Sequence, residues 1–115
     1  MLNRIRTVIY HVDDLQKAKF WYIQFTGLQP YFDEPFYVGF DIHGFELGLD
    51  PDVTQFTEGN HTLSYWSVDD IHAVVEKAVS IGAQLIIPVN NVGGTIEVAT
   101  IRDPFGNHIG LITGA

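Results

Sequence analysis

An α+β fold built from two copies of one β-α-β-β-β unit is the architecture this sequence predicts, on three observations. An acidic turn, Val12-Asp13-Asp14-Leu15, recurs 56 positions later as Val68-Asp69-Asp70-Ile71. Each copy follows an apolar strand-like run and precedes an amphipathic helix pattern. Three short strand candidates, separated by turn-forming residues, follow each helix.

The elements follow in order. Ile5 to Val12 reads as the first strand. Leu15, Ala18, Trp21, Tyr22 and Phe25 then fall on one helical stripe, and Gly27 stands where a C-cap glycine ends the helix. Strands are expected at about Gln29–Phe32, Phe36–Asp41 and Gly44–Leu49, with turns at Asp33-Glu34-Pro35 and His43-Gly44. In the second copy Thr62 to Val68 is the strand, Ile71, Val74, Val75 and Ala78 the stripe, and Gly82 the cap. Strands at about Gln84–Val89, Thr95–Ile101 and His108–Thr113 complete it, with turns at Asn90-Asn91, Gly93-Gly94 and Asp103-Pro104-Phe105-Gly106-Asn107. The modules span about 4–50 and 61–113 of a single domain, with a linker at about 51–60. A unit this short cannot bury both its faces alone, so two must pair, within one chain or across a dimer.

The composition bounds the function. The chain has 115 residues, 46% hydrophobic and 17% charged, which suits one globular domain with a real core. No Cys is present, so disulfides, thiolate metal sites and a cysteine nucleophile are excluded. A net charge of −8 repels phosphate backbones and argues against nucleic acid. The same charge would attract a cationic ligand, or serve solubility alone. No run of apolar residues is long enough for a membrane span. Met1-Leu2-Asn3-Arg4 leads straight into the first strand without a leader pattern, so a cytoplasmic location is expected.

Period-two alternation sorts the strand faces. Val8, Tyr10 and Val12 share one side of the first strand, with Ile5, Thr7, Ile9 and His11 on the other. Phe45, Leu47 and Leu49 belong to the helix side of the fourth strand, which leaves Glu46 on the opposite face. Leu63, Tyr65 and Ser67 share a face, and so do His108, Gly110 and Ile112. The paired aspartates read as helix N-caps, because a carboxylate accepts from the free N–H groups of a first turn. Gly93-Gly94 is a turn with no following Lys to make a phosphate cradle, and no nucleophile elbow is visible.

Three segments together resemble the glyoxalase/bleomycin-resistance/dioxygenase (vicinal oxygen chelate) superfamily. They are Tyr10-His11-Val12-Asp13-Asp14-Leu15, the Phe20-Trp21-Tyr22 helix with Thr26-Gly27-Leu28, and Arg102-Asp103-Pro104-Phe105-Gly106-Asn107 before a last strand. The resemblance implies curved mixed sheets enclosing a cup, and a homodimer. It also implies up to four metal ligands, from the first and fourth strands of each module. Those positions map to Thr7, Glu46, Leu63 and Gly110, of which only Glu46 carries a suitable donor. No cofactor is therefore expected. The alternative is a divalent ion held by Glu46 with displaced histidines from His11, His61 and His108.

The cup wall implied by the resemblance has Thr7, His11, Glu46, Leu63, Tyr65 and His108 as its ligand-binding candidates, with Ile9 and Ile112 beside them. Glu46 in such a cup either pairs with a cationic ligand, rises in pKa, or bonds to a nearby Tyr or His. Tyr65, Phe36, Tyr37, Phe40 or Trp66 could stack a flat ligand, although most suit a core equally well. Three readings follow. The first is a non-enzymatic small-molecule binder of bleomycin-resistance type. The second is an enzyme with a displaced metal or with Glu46 and His11 as acid-base groups. The third is a regulatory or structural module with a filled cup.

Overall fold

The two acidic turns do start two helices in the computed structural model, which describes residues 3–54 and 62–114. Asp14 caps α1 (Leu15–Thr26) by accepting from the Lys17 amide, and Asp70 caps α2 (Ile71–Ser80) by accepting from the Ala73 amide. Gly27 ends α1 in the left-handed region at φ 73°, with its N–H on the Ile23 carbonyl. In α2 the cap position is Ile81, and Gly82 follows it at φ 107°. The expected linker lies largely, and His61 wholly, outside the described residues.

The chain divides into two compact units, Met1–Thr57 and Glu58–Ala115. In the first, β1 (Thr7–His11), β2 (Phe32–Glu34), β3 (Tyr37–Ile42) and β4 (Phe45–Asp50) form a mixed sheet of order β1-β4-β3-β2. In the second, β5 (Tyr65–Ser67), β6 (Gln84–Gly93), β7 (Ile96–Arg102) and β8 (His108–Thr113) repeat it as β5-β8-β7-β6. Each first strand pairs parallel with the last of its unit, and the other pairs are antiparallel.

Each sheet buries one face against its helix. Tyr10, Val12, Val38, Phe40, Leu47 and Leu49 meet Leu15, Ala18, Trp21 and Tyr22 of α1 in the buried set of the first unit. Tyr22 rests against Tyr10 at 5.9 Å between ring centroids, which ties helix to sheet. Ile101, Ile109 and Leu111 are fully buried in the second unit with Ile71 and Ala78 of α2. The expected alternation holds for Leu47 and Leu49, and Glu46 lies away from the helix, but Phe45, expected on the helix side, is exposed at the start of β4, ahead of the part of the strand that is buried.

Two turn expectations fail for identifiable reasons. Asp33 and Glu34 lie in β2, and the reversal falls at Pro35-Phe36, because Glu34 pairs directly with Tyr37. Proline presets the φ of a first turn position, and charged residues are tolerated on an edge strand. Asn90 and Asn91 lie within β6, whose register shifts absorb them. Their side chains bond backbone carbonyls of Pro88, Val98 and Gly94, while Gly93 pairs with Ile96, so the reversal falls one residue later than expected, at Gly94-Thr95, with Gly94 at φ 56°. The edge strand β6 leaves Leu85, Ile86, Ile87 and Val92 exposed. β5 is also shorter than expected, so Leu63 precedes it.

Asp103 carries the last turn. It is buried, and its carboxylate accepts from the Phe105 amide at 2.9 Å, the Asn107 amide at 2.8 Å and Asn107 Nδ2 at 3.1 Å. Asp103→Ala strands these donors, so chemical denaturation should show a loss of about 1–3 kcal/mol or more, with Asp103→Asn losing less. An unchanged midpoint would show that the turn is held by its backbone alone.

Candidate functional site

The site grows from strand register. β1 meets β4 with Thr7 opposite Glu46, Ile9 opposite Gly48 and His11 opposite Asp50. The two-residue turn at His43-Gly44, with φ 50° and 93°, pairs Ile42 with Phe45. That pairing sets Asp41 opposite Glu46 and Gly39 opposite Gly48. Thr7, Tyr37, Gly39, Asp41, Glu46 and Gly48 thus share the face turned away from α1.

Glycine on that face makes room for tyrosine. A Cβ on Gly48 would lie 1.9 Å from the Tyr37 hydroxyl oxygen, so the phenol lies over bare backbone. A Cβ on Gly39 would lie 3.1 Å from Glu46 Oε2 and 3.3 Å from the Tyr31 ring. The two phenols converge on the one carboxylate. Tyr37 donates to Glu46 Oε1 at 2.8 Å, Thr7 donates to the same oxygen at 3.1 Å, and Tyr31 donates to Oε2. Arg6 donates to the Thr7 hydroxyl at 2.8 Å and stands 3.7 Å from Glu46 Oε1.

This bonding fixes the protonation state. Burial pushes the Glu46 carboxyl up, but the hydroxyls of Tyr31, Tyr37 and Thr7 and the charge of Arg6 outweigh it and hold the group below the usual carboxylate value. Glu46 is therefore an anion at neutral pH. Burial, and then the bond to Glu46, raise Tyr37 well above an ordinary phenol. The bond to Glu46, and then burial, raise Tyr31. Neither phenol can serve as a base near neutrality. Of the alternatives open for Glu46, bonding to tyrosine is the one found, and it draws the pKa down rather than up.

A cleft of about 210 Å³ opens beside this cluster, lined by Arg4, Arg6, Tyr31, Asp41, Gly44, Phe45 and Glu46. Arg4 donates to the Gly44 carbonyl at 3.3 Å and lies 5.9 Å from the centre of the Phe45 ring. Tyr31, Arg4, Arg6 and Asp41 were not among the sequence candidates, and Tyr37 was there only as a stacking ring. The turn at His43-Gly44 already implied the Asp41–Glu46 pairing. Nothing local marks Tyr31, which precedes β2 and reaches Glu46 because its N–H bonds the Gly39 carbonyl.

The other candidates lie apart from this cluster or in the second unit. His11 ends β1, and its Nδ1 donates to the Asp52 carbonyl at 2.7 Å. Tyr65 pairs with Gly110, and a Cβ there would lie 2.7 Å from the Tyr65 ring. His108 is exposed and pairs with Arg102. The Phe40 proposed for stacking is fully buried.

Register also corrects the correspondence between modules. The last parallel pairs before each helix are His11 with Asp50 and Ser67 with Ile112. Two residues earlier come Ile9 with Gly48 and Tyr65 with Gly110. Gly110 is therefore the counterpart of Gly48, and His108 is the counterpart of Glu46. The similar strings Phe45-Glu46-Leu47 and Ile109-Gly110-Leu111 invite the alignment of Glu46 with Gly110, and the ladder shifts it by two residues.

The expected metal positions consequently become Thr7, Glu46, Leu63 and His108. Leucine has no donor, and threonine is a weak ligand. Both Glu46 oxygens already accept hydroxyl protons. One carboxylate and one imidazole fall short of the three protein ligands that catalytic ions commonly use. Of the four mapped positions, only Glu46 and His108 carry a good ligand donor, and they belong to different units.

A family model for the "Glyoxalase/Bleomycin resistance protein/Dioxygenase superfamily" matches residues 4–111. A curated Mycobacterium tuberculosis protein, "Putative glyoxylase CFP32", is 40% identical over 48 residues. That stretch is 42% of this chain and 18% of the relative, so the chain accounts for well under two thirds of the relative's length. A glyoxalase/bleomycin resistance protein/dioxygenase family enzyme from Burkholderia phytofirmans PsJN superposes with a TM-score of 0.84 at 20% identity, over 98% of this chain and 100% of that one. The fosfomycin resistance protein FosX of Mesorhizobium loti gives 0.79 at 13% identity, over 100% and 95%. At these identities the structural likeness shows the fold.

Two predictions follow from the cluster. Gly48→Ala should displace Tyr37, cost about 1–3 kcal/mol in denaturation, and return the Tyr37 phenol toward its ordinary value in an ultraviolet pH titration. A phenol that still titrates high would show that Tyr37 has another seat. The second concerns acid. Because folding lowers the Glu46 pKa, its contribution is full above the unfolded value of 4.5 and is lost as pH falls through the folded value. Thermal scans from pH 6 down to about 2 should show a steeper loss in the native chain than in Glu46→Gln. Parallel curves would exclude Glu46 as a stabilising anion.

Proposed function

The chain belongs to the Glyoxalase/Bleomycin resistance protein/Dioxygenase superfamily, and from that premise we propose that it is a non-enzymatic small-molecule-binding protein whose ligand is received beside Glu46. The observation that carries this reading is the state of that carboxylate. It is ionised, held by three hydroxyls, and has no proton to give near neutral pH. A general acid there would need the opposite shift, and a carboxylate of lowered pKa that already accepts from three hydroxyls is a weak base. The donor set offers too few ligands for an ion, so the chemistry of metal-dependent relatives has no evident footing in these residues.

Binding, by contrast, suits the arrangement. Hydroxyls that spend their protons on Glu46 keep lone pairs free to accept from a ligand. A fixed anion ringed by such acceptors favours a ligand group that is cationic or rich in hydrogen-bond donors. The exposed rings of Tyr31 and Phe45 can cover its apolar part.

Metal analysis of the purified, untagged protein, with thermal-shift titration of Ni, Mn, Zn and Fe(II), tests the reading. We expect no stoichiometric ion and no shift. A stoichiometric ion lost in Glu46→Ala would make an enzyme the better account. For a cationic ligand, Glu46→Gln should weaken binding in calorimetry by about 1–3 kcal/mol while leaving the fold nearly intact. Unchanged affinity would remove Glu46 from the binding site.

A further inference from the structure

We propose that the cleft beside Glu46 is a receptor for a small zwitterion, a molecule carrying both an ammonium and a carboxylate group; this rests on the binding reading of the same site. The first ground is the charge of its lining. Arg4, Arg6, Asp41 and Glu46 all face one cleft, two cations against two anions, in a chain whose net charge is −8. Two of only six Lys and Arg residues are thus gathered where the chain's acidity would otherwise dominate.

The second ground is that these charges cancel only in part. Arg6 stands near Glu46, whose oxygens are otherwise occupied by hydroxyls. Asp41 sits directly across the strand pair from Glu46, a like-charge placement that is unfavourable unless something offsets it. Asp41 Oδ1 accepts from the Gly44 amide at 2.7 Å. Arg4 bonds a carbonyl and covers Phe45. Among the described residues neither Asp41 nor Arg4 has an ion-pair partner. The cleft therefore offers a spare anion and a spare cation.

A simple cation entering here meets Arg4 and Arg6, and a simple anion meets Asp41 and Glu46. A zwitterion answers both pairs. Its ammonium pairs with Asp41 beside the Glu46 anion, and its carboxylate pairs with Arg4 beside Arg6, a guanidinium matching it as a forked donor. The cleft of about 210 Å³ has room for a group of amino-acid size. Phe45 and Tyr31, both more than half exposed, supply flat walls for an apolar side group.

Three probes with one skeleton separate the charges. Phenylalanine carries both, phenethylamine only the cation, and 3-phenylpropanoate only the anion. In calorimetry at low salt, phenylalanine should bind about tenfold more tightly than either analogue, a gain equal to one well-placed ion pair. Arg4→Gln should bring phenylalanine down to the affinity of phenethylamine without weakening phenethylamine itself. Asp41→Asn, which keeps the acceptor for Gly44, should bring it down to the affinity of 3-phenylpropanoate. Equal affinity for phenylalanine and phenethylamine, both lowered by Glu46→Gln, would overturn the zwitterion and leave the binding reading standing. Equal affinity for phenylalanine and 3-phenylpropanoate would overturn it in favour of an anion site. No heat from any probe would overturn it too, and the metal titration would then decide separately whether the binding reading falls with it.

Discussion

The parallel pairing of the first and last strands of each unit is the constraint on which the rest depends. These strands are far apart in sequence, and a helix must cross between them before they can meet. Once β1 is seated beside β4, the helix is committed to one face and every side chain of β4 is assigned a side. Leu47 and Leu49 go into the core, and Glu46 and Gly48 go to the other face. A slip of one residue would bury the glutamate and expose the leucines, so hydrophobic burial holds the register of the polar site.

From that register the chemistry of the cluster follows without further design. Thr7 faces Glu46 because it is its strand partner. Asp41 faces Glu46 because a tight two-residue turn joins β3 to β4. Tyr37 reaches the carboxylate because the sheet beneath it carries glycine. The second unit uses the same backbone differently. Its counterpart of Glu46 is His108, which is exposed, and its glycine at position 110 is covered by Tyr65 of the neighbouring strand. The two units share a frame and differ in what it carries.

Much of the fold was legible in the chain. Asp14 and Asp70 cap their helices as a carboxylate before an amphipathic stripe should, and the alternation in β1, β4 and β8 sorts core from surface except at Phe45, which the strand's open end leaves exposed. What failed was where local chemistry and strand pairing disagree. Asn90 and Asn91 look like a turn, yet bulges let β6 run through them. Of the site, Thr7 and Glu46 were legible because parity puts them on one face. Asp41 was legible in principle from the turn at His43-Gly44. Tyr31 was not, because its place depends on a backbone bond to Gly39 that no periodicity announces. The correspondence of Glu46 with His108 was hidden for a similar reason. Similar short strings, Phe-Glu-Leu and Ile-Gly-Leu, suggest one alignment, and the hydrogen-bonded ladder imposes another.

The glycine floor bears on any effort to reshape this protein. Room above the sheet exists because side chains are missing at positions 39 and 48, where the residues are already the smallest available. Substitution in the floor can therefore only shrink the space. Enlargement has to come from the walls, and the phenol wall is the one that holds Glu46 in place. A designer who wants a larger receptor must accept a loosened carboxylate, so capacity and charge placement are coupled in this scaffold.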